Sequence, residues 1–488
     1  MPAIINFDDA TTEKLFGADD AENERDERFK EYFYYNKIFD NLNNDLPVRL
    51  LVGHKGIGKS ALLKRAYLSD REDKRLAVRL QPSDILGVKG DAPLGDFNIL
   101  IERWKGGLLA AIATKVVQEF ANDAIDRAQL SGLSAKVASF IPFVASQLTQ
   151  RVKSIVDATD GEIVRGFATG GPINIYIDDI DRGWSASELD IRNISALLNA
   201  VRDISGSEQR IRFRIALRTD VYYLVRTSDE STDKIERHVV WMNWTSHEIL
   251  CVIAKRITTY FGDKFTQEQL FAMPQVEISS RILSKVIEPR FQGNGHWSNR
   301  PIHNVLTSLS RRRPRDMVKL MHGAARKAYG SGHAIISSKD LESSFEAYSG
   351  ERLQDIINEF RTELPNIERL VLGFKPSRRA RKASDSYLFA TDALVTKLKT
   401  IAQNSALQFK SGRLVTPRGL IQFLYKIEFI TARMDSDAGI QRRHFDQNRF
   451  LASEIAEFGY DWEIHPAYRW ALQPHDVHRI LDGVAASD

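Results

Sequence analysis

The 488-residue chain reads as an α/β protein built on a parallel sheet, and three features predict it. The run GHKGIGKS, Gly53 to Ser60, lies between the branched apolar stretch Val48–Val52 and a segment with apolar residues at helical spacing. A second apolar stretch, Ile173–Ile177, stops at the paired carboxylates Asp178 and Asp179. Three more short runs, RLAVRLQP, RIRFRIALRTD and HVVWMNW, alternate with helical segments, as expected of parallel strands joined by helical crossovers.

In chain order, LFGADDAENERDERFKEYFYYNKIF reads as amphipathic, with Phe29, Tyr32, Phe33 and Phe39 packing inward. Val48–Val52 follows, rich enough in branched residues for a strand buried on both faces. Gly53, His54, Lys55, Gly56, Ile57, Gly58, Lys59, Ser60 and Ala61 then match the GxxxxGK[ST] pattern followed by a helix. Glycines there let consecutive N–H groups turn toward phosphate oxygens, Lys59 would reach the β- and γ-phosphates, and Ser60 would ligate magnesium. The span from about Gly87 to Gly171 is a long, mainly helical insertion that includes IERWKGGLLAAIATKVVQEFA and SFIPFVASQLTQRVKSIV. Beyond it, Asp178 is placed to hold the magnesium shell and Asp179 to polarise an attacking water, while Asp181 and Arg182 read as a local ion pair. Arg218, Thr219 and Asp220 close the next strand at the same carboxyl edge, where polar groups can sense a γ-phosphate.

After residue 245 the pattern is helical. KPSRRARKAS carries Lys375, Arg378, Arg379, Arg381 and Lys382 as a basic linker, Thr416-Pro417 starts a helix, and ITARMDSDAGIQRRHFD reads as a strand pair joined by a turn. A helix followed by such a hairpin is winged-helix-like, with Arg442 and Arg443 as wing residues facing backbone phosphate. His465, His475 and His478 lack metal-site spacing and read as packing or surface residues. The expected division is a P-loop core over 1–245, a helical lid over 246–347, and a C-terminal helical and winged-helix-like α+β domain over 348–488.

The order of these parts resembles the AAA+ and STAND branch of P-loop ATPases over roughly residues 15 to 345. It is also similar to a group of bacterial ATPases carrying FG near the N-terminus, a KGxGKSA loop, an LRTD strand end and a tryptophan-bearing strand. Here these are Phe16-Gly17, Lys55–Ala61, Leu217–Asp220 and Trp244. The resemblance implies ATP and Mg2+ as cofactors and an ATP-hydrolysing molecular switch, similar to components of bacterial mobile-element or antiviral defence operons. It assigns the first sensor to Arg218 or Thr219, an arginine finger acting in a neighbouring subunit to Arg237, the second sensor to Arg315, and an adenine contact to Phe16 and Gly17. Asp179 stands where many such ATPases have glutamate, which implies slow or partner-stimulated turnover. A DNA-acting motor or loader and a nucleotide-stabilised scaffold are the alternatives. The expected partners are a second copy of the chain or an effector protein, with double-stranded DNA at the C-terminal domain as a further candidate.

Composition agrees with a folded protein: 43% of residues are hydrophobic and 27% charged. The net charge of +4 is too small to argue for nucleic acid by itself. A single cysteine, Cys251, excludes an internal disulfide and reads as core. The acidic N-terminus lacks a signal-peptide pattern and no run is long enough to span a membrane, so a cytoplasmic location is expected.

Overall fold

The computed structural model describes residues 5–85, 88, 96–123, 157–228, 233–376, 387–436, 439–445, 447 and 460–473. Residues 87, 89–95 and 124–156 of the predicted insertion, the basic residues Arg378, Arg379, Arg381 and Lys382, and His475 and His478 lie outside them. The chain divides into two compact units, one formed by residues 35–55 and 59–242, the other by residues 1–34, 56–58 and 243–488.

The first of these is the α/β unit. Strands β1 (Val48–Gly53), β2 (Leu76–Leu80), β3 (Ile173–Ile177), β4 (Ile211–Arg218) and β5 (Val239–Trp241) form one sheet in the order β2-β3-β4-β1-β5. Every pairing is parallel, as the interleaved helical segments require. Leu50, Val52, Ile175, Ile177, Phe213 and Ile215 are fully buried, so the strands need no polar outer face. Two polar residues interrupt β3, and both donate to one carboxylate. Asp70, on the helix Lys59–Glu72, accepts from Asn174 Nδ2 at 2.7 Å and from the Tyr176 hydroxyl at 2.6 Å. Those bonds pin to the sheet the helix that the glycine-rich loop enters. Within the insertion, the helix Phe97–Asp123 buries Trp104, Leu108, Ile112 and Val116 in this core.

The other unit is mostly helical. Ser246–Phe261 starts at a capping box in which Thr245 and Glu248 satisfy each other's backbone N–H groups, and stops at Gly262 in the left-handed region. Pro314–Ser331 begins with proline at its first position and also ends at a left-handed glycine, Gly332. Ser337 and Asp340 form the capping box of Ser338–Phe360. Pro365 follows that helix, and a short one resumes at Ile367–Leu372. Farther on, β6 (Leu388–Phe389), β7 (Ile430–Ser436), β8 (Gly439–Arg443) and β9 (Asp461–Ile464) form an antiparallel sheet in the order β6-β9-β7-β8, with the helices Thr391–Ser405 and Pro417–Lys426 between β6 and β7 in the chain. The expected helix start at Thr416 and the expected hairpin are both present. Phe29, Tyr32 and Phe33 are buried in this unit, Phe39 in the other, and Cys251 is buried. No described helix is long and apolar enough to cross a membrane.

Candidate phosphate site at the sheet edge

The loop leaves β1 at Gly53, whose register partner on β4 is Arg218, so both stand at the carboxyl edge of the sheet. Gly56 and Gly58 have φ of 79° and 103°, a backbone region that a side chain would strain. Lys59 and Ser60 open the following helix and are half-buried. The Lys59 ammonium is folded back on the loop and donates to the Gly53 carbonyl at 2.8 Å and the His54 carbonyl at 3.1 Å. Of the other loop residues, His54 and Ile57 are buried, Lys55 is exposed and Ala61 is half-buried in the helix.

Strand β3 delivers the carboxylates to the same edge. Asp178 is buried, accepts from the Asp179 N–H at 3.0 Å and hydrogen-bonds the Ser60 hydroxyl, yet its Oδ2 has no partner. Burial raises its carboxyl above the ordinary range, the Ser60 hydrogen bond opposes this, and the Asp179 charge adds to it. Asp181 is raised by burial too, opposed by Arg218 and Lys59, and its Oδ2 also has no hydrogen-bond partner. Asp179 is exposed and left-handed, with φ of 54°, a conformation that aspartate tolerates better than most residues. No group of three or more acidic, histidine or cysteine ligands that could hold a metal unaided occurs among the described residues. A hydroxyl beside a carboxylate with an orphaned buried oxygen does fit magnesium that takes its remaining ligands from phosphate and water.

The predicted ion pair between Asp181 and Arg182 is not formed. Asp181 Oδ2 lies 3.8 Å from Arg218 Nε, and Arg182 instead donates its backbone N–H to the Asp179 carbonyl at 2.9 Å. The β3–β4 pairing sets Asp181 toward the neighbouring strand end, a long-range effect that sequence adjacency does not convey. Arg218 is held bidentately by Asp220, at 3.0 Å and 2.6 Å, and Thr219 is buried at the first position of the next helix. The part of Asp181 was missed in the sequence; its third-acid spacing after Asp178 was the available signal.

Arg237 stands elsewhere. The register places Val239 beside Leu50, so Arg237 is level with Val48, about 16 Å from Gly53 at roughly 3.3 Å per residue. It is exposed and its Nε donates to His238 Nε2 at 3.1 Å. It therefore lies at the edge opposite its own loop.

In the helical unit, Arg315 lies against the loop glycines. Its backbone N–H donates to the Gly56 carbonyl at 3.4 Å, and a Cβ on Gly56 would come within 3.3 Å of its Cδ. Its guanidinium pairs with Asp20 and donates to the Asp19 carbonyl at 3.4 Å. Trp244 Nε1 donates to the Ile57 carbonyl at 2.8 Å, and Arg312 Nε fixes the Trp244 carbonyl at 2.7 Å. Phe16 is fully buried, and Gly17, with φ of 76°, accepts from or faces His322 Nε2 at 3.0 Å through its carbonyl.

The strand order, the loop after β1 and the acidic end of β3 together define a P-loop α/β fold. Within that class, residues 248–357 match the family described as the FunZ-associated C-terminal helical domain. The chain is 20% identical over 482 residues to an Escherichia coli K12 protein described as a putative transposon gamma-delta 80.3 kDa protein, covering 89% of this chain. It spans 64% of that relative's length. Among solved structures, Aeropyrum pernix ORC2 in ADPNP-ADP complexes overlaps at a TM-score of 0.36 and 12% identity, over 90% of this chain and 87% of the other. Thermotoga maritima RuvB, a Holliday junction branch migration motor, overlaps at 0.31 and 11%, over 88% and 96%. Cdc6p from Pyrobaculum aerophilum overlaps at 0.30 and 12%, over 96% and 97%. The fold assignment rests on strand order and loop geometry.

Proposed function

We propose that the chain binds ATP with magnesium and hydrolyses it as a molecular switch. The observation that carries this reading is the pairing of Ser60 with Asp178, whose second oxygen is buried without a partner, beside Lys59 at the end of a parallel sheet. On this reading Lys59 leaves the Gly53 and His54 carbonyls to hold the β- and γ-phosphates, while the loop N–H groups cradle them. Ser60 and Asp178 would hold magnesium there, whose charge would offset that developing on the phosphates. Asp179, exposed at the same strand end, orients the attacking water and accepts its proton.

Arg218 or Thr219 senses the γ-phosphate at the β4 end, and Arg315 is the second sensor. A new anion near the loop glycines would compete with Asp20 for the Arg315 guanidinium, which couples nucleotide state to the N-terminal segment. Arg237 faces away from its own loop, so a finger role requires a second copy of the chain. Similarity to the Escherichia coli transposon gamma-delta protein supports a mobile-element setting, and a defence role is the companion proposal.

The test is ATP hydrolysis by the full chain with magnesium, beside Lys59→Ala and Asp179→Asn. Asparagine accepts left-handed backbone as readily as aspartate, so the second variant removes the base without straining the turn. Hydrolysis lost in both supports the reading; wild-type rates in Lys59→Ala sink it. For Arg237, specific activity should rise with protein concentration, and that rise should vanish in Arg237→Ala.

A further inference from the structure

A cleft of about 460 Å³ opens within the helical unit. Its wall brings together the start of the Ser246–Phe261 helix, Arg312, and Arg442, Arg443 and His444 at the end of β8. Every lining residue is polar, three are arginines, and none is aspartate or glutamate.

The three arginines differ in what they can offer. Arg442, expected as an outward wing residue, is instead tied to buried Glu463, with Nε 2.6 Å and Nη2 3.2 Å from its two oxygens. It serves the cleft as a fixed charge at its base. Arg312 is held by its Nε bond to the Trp244 carbonyl. Arg443 is exposed and has no ion pair or side-chain hydrogen bond among the described residues.

His444 supplies an independent sign of a missing partner: it is only 9% exposed, it lines the cleft, and its Nδ1 has no hydrogen bond. Its imidazole is pushed down to about 4, first by burial and then by the Arg312 charge, with Arg442 acting in the same direction. The site is electropositive around a neutral ring. The start of a 16-residue helix adds partial positive charge through Ser246.

We propose that this cleft is a phosphate site whose ligand is the phosphodiester backbone of a nucleic acid. Guanidinium forks, hydroxyls and amides suit phosphate oxygens. Apart from two imidazoles the wall has no ring on which a base would stack, so contact is independent of base sequence. The volume exceeds what a single phosphate ion fills and admits a sugar-phosphate step. This inference does not depend on ATP hydrolysis.

The experiment measures anisotropy of a short labelled duplex on the full chain without nucleotide, using wild type, Arg443→Glu, Ser246→Glu, Lys59→Ala and Lys327→Glu. An acidic residue is favoured at the first turn of a helix, so Ser246→Glu keeps the fold while reversing the local charge, and unchanged thermal unfolding checks this. Lys327 is exposed and lies outside the cleft. Expected is about a tenfold loss of affinity in Arg443→Glu and in Ser246→Glu, and a salt slope shallower by about one in Arg443→Glu. Lys327→Glu and Lys59→Ala should bind as wild type. Wild-type binding in both cleft variants, or equal losses in Lys327→Glu, would overturn the site. Binding of inorganic phosphate with no duplex binding would overturn the nucleic-acid source.

Discussion

Two sets of buried carboxylates in this molecule are treated in opposite ways. In the helical unit, Asp316 accepts from Arg311 at 2.6 Å and 2.9 Å and from Arg352 at 2.7 Å. In the C-terminal sheet, Glu463 receives Arg433, Arg442 and Arg469. Arg433 and Arg442 face each other across β7 and β8, a repulsive pairing that Glu463 on the adjacent strand relieves. At the sheet edge of the α/β unit, Asp178 is buried and Asp181 is largely so, but each keeps an oxygen without a hydrogen bond. Although desolvation opposes ionisation in all four, arginines overcome it in the first pair, taking Asp316 down to about 2 and Glu463 well below its ordinary value. Desolvation prevails in the second pair. Saturated carboxylates hold an architecture together, and unsaturated ones are what the proposed magnesium site draws on.

The largest expected effect is on activity. Lys59 is the cation that acts on both Asp178 and Asp181, so Lys59→Ala should lower ATP turnover by at least about a hundredfold, the scale for losing one preorganised charge at a transferring phosphoryl group. Next is Glu463→Gln, which leaves three arginines around a neutral amide. Chemical denaturation should show a loss of about 3–5 kcal/mol, and a change near zero would break the contrast between the two regions.

Opposite pH dependences follow from the same contrast. Glu463 and Asp316 bind fewer protons folded than unfolded, so their stabilisation is complete above the ordinary carboxylate range and is lost as pH falls below it. Asp178 and Asp181 bind more protons folded than unfolded, so their contribution declines as pH rises from about 4 toward their raised values. Melting curves across pH should show a weaker acid-side loss in Glu463→Gln, where Asp316 remains, and a shallower decline above about pH 4 in Asp178→Asn, where Asp181 remains. The smallest effect is expected for Arg315→Ala. Its ion pair with Asp20 is partly exposed and should contribute under about 1 kcal/mol, which chemical denaturation would check.

Much of the sheet was legible in the sequence because its strands are short runs rich in branched apolar residues, largely buried despite the polar residues within them, and Ile173–Ile177 even marks its end with acids. The loop was legible because glycine and lysine spacing is local. What sequence could not convey is pairing across distance. Asp181 meets Arg218 rather than its neighbour Arg182 because β3 lies beside β4. Arg442 turns to Glu463 rather than outward because β9 lies beside β7, and Arg237 falls at the far edge through the β1–β5 register.

The most direct test is thermal unfolding of wild type and Asp178→Asn, each with and without magnesium and ATP. An unsatisfied buried charge costs stability, so the variant without ligand should be more stable than wild type by about 1 kcal/mol. Wild type should gain about 2.7 kcal/mol at a ligand concentration a hundredfold above Kd, and the variant should lose the magnesium-dependent part of that gain. A less stable ligand-free variant that still gains as much as wild type from magnesium and ATP would contradict the assignment of Asp178 to a cation site.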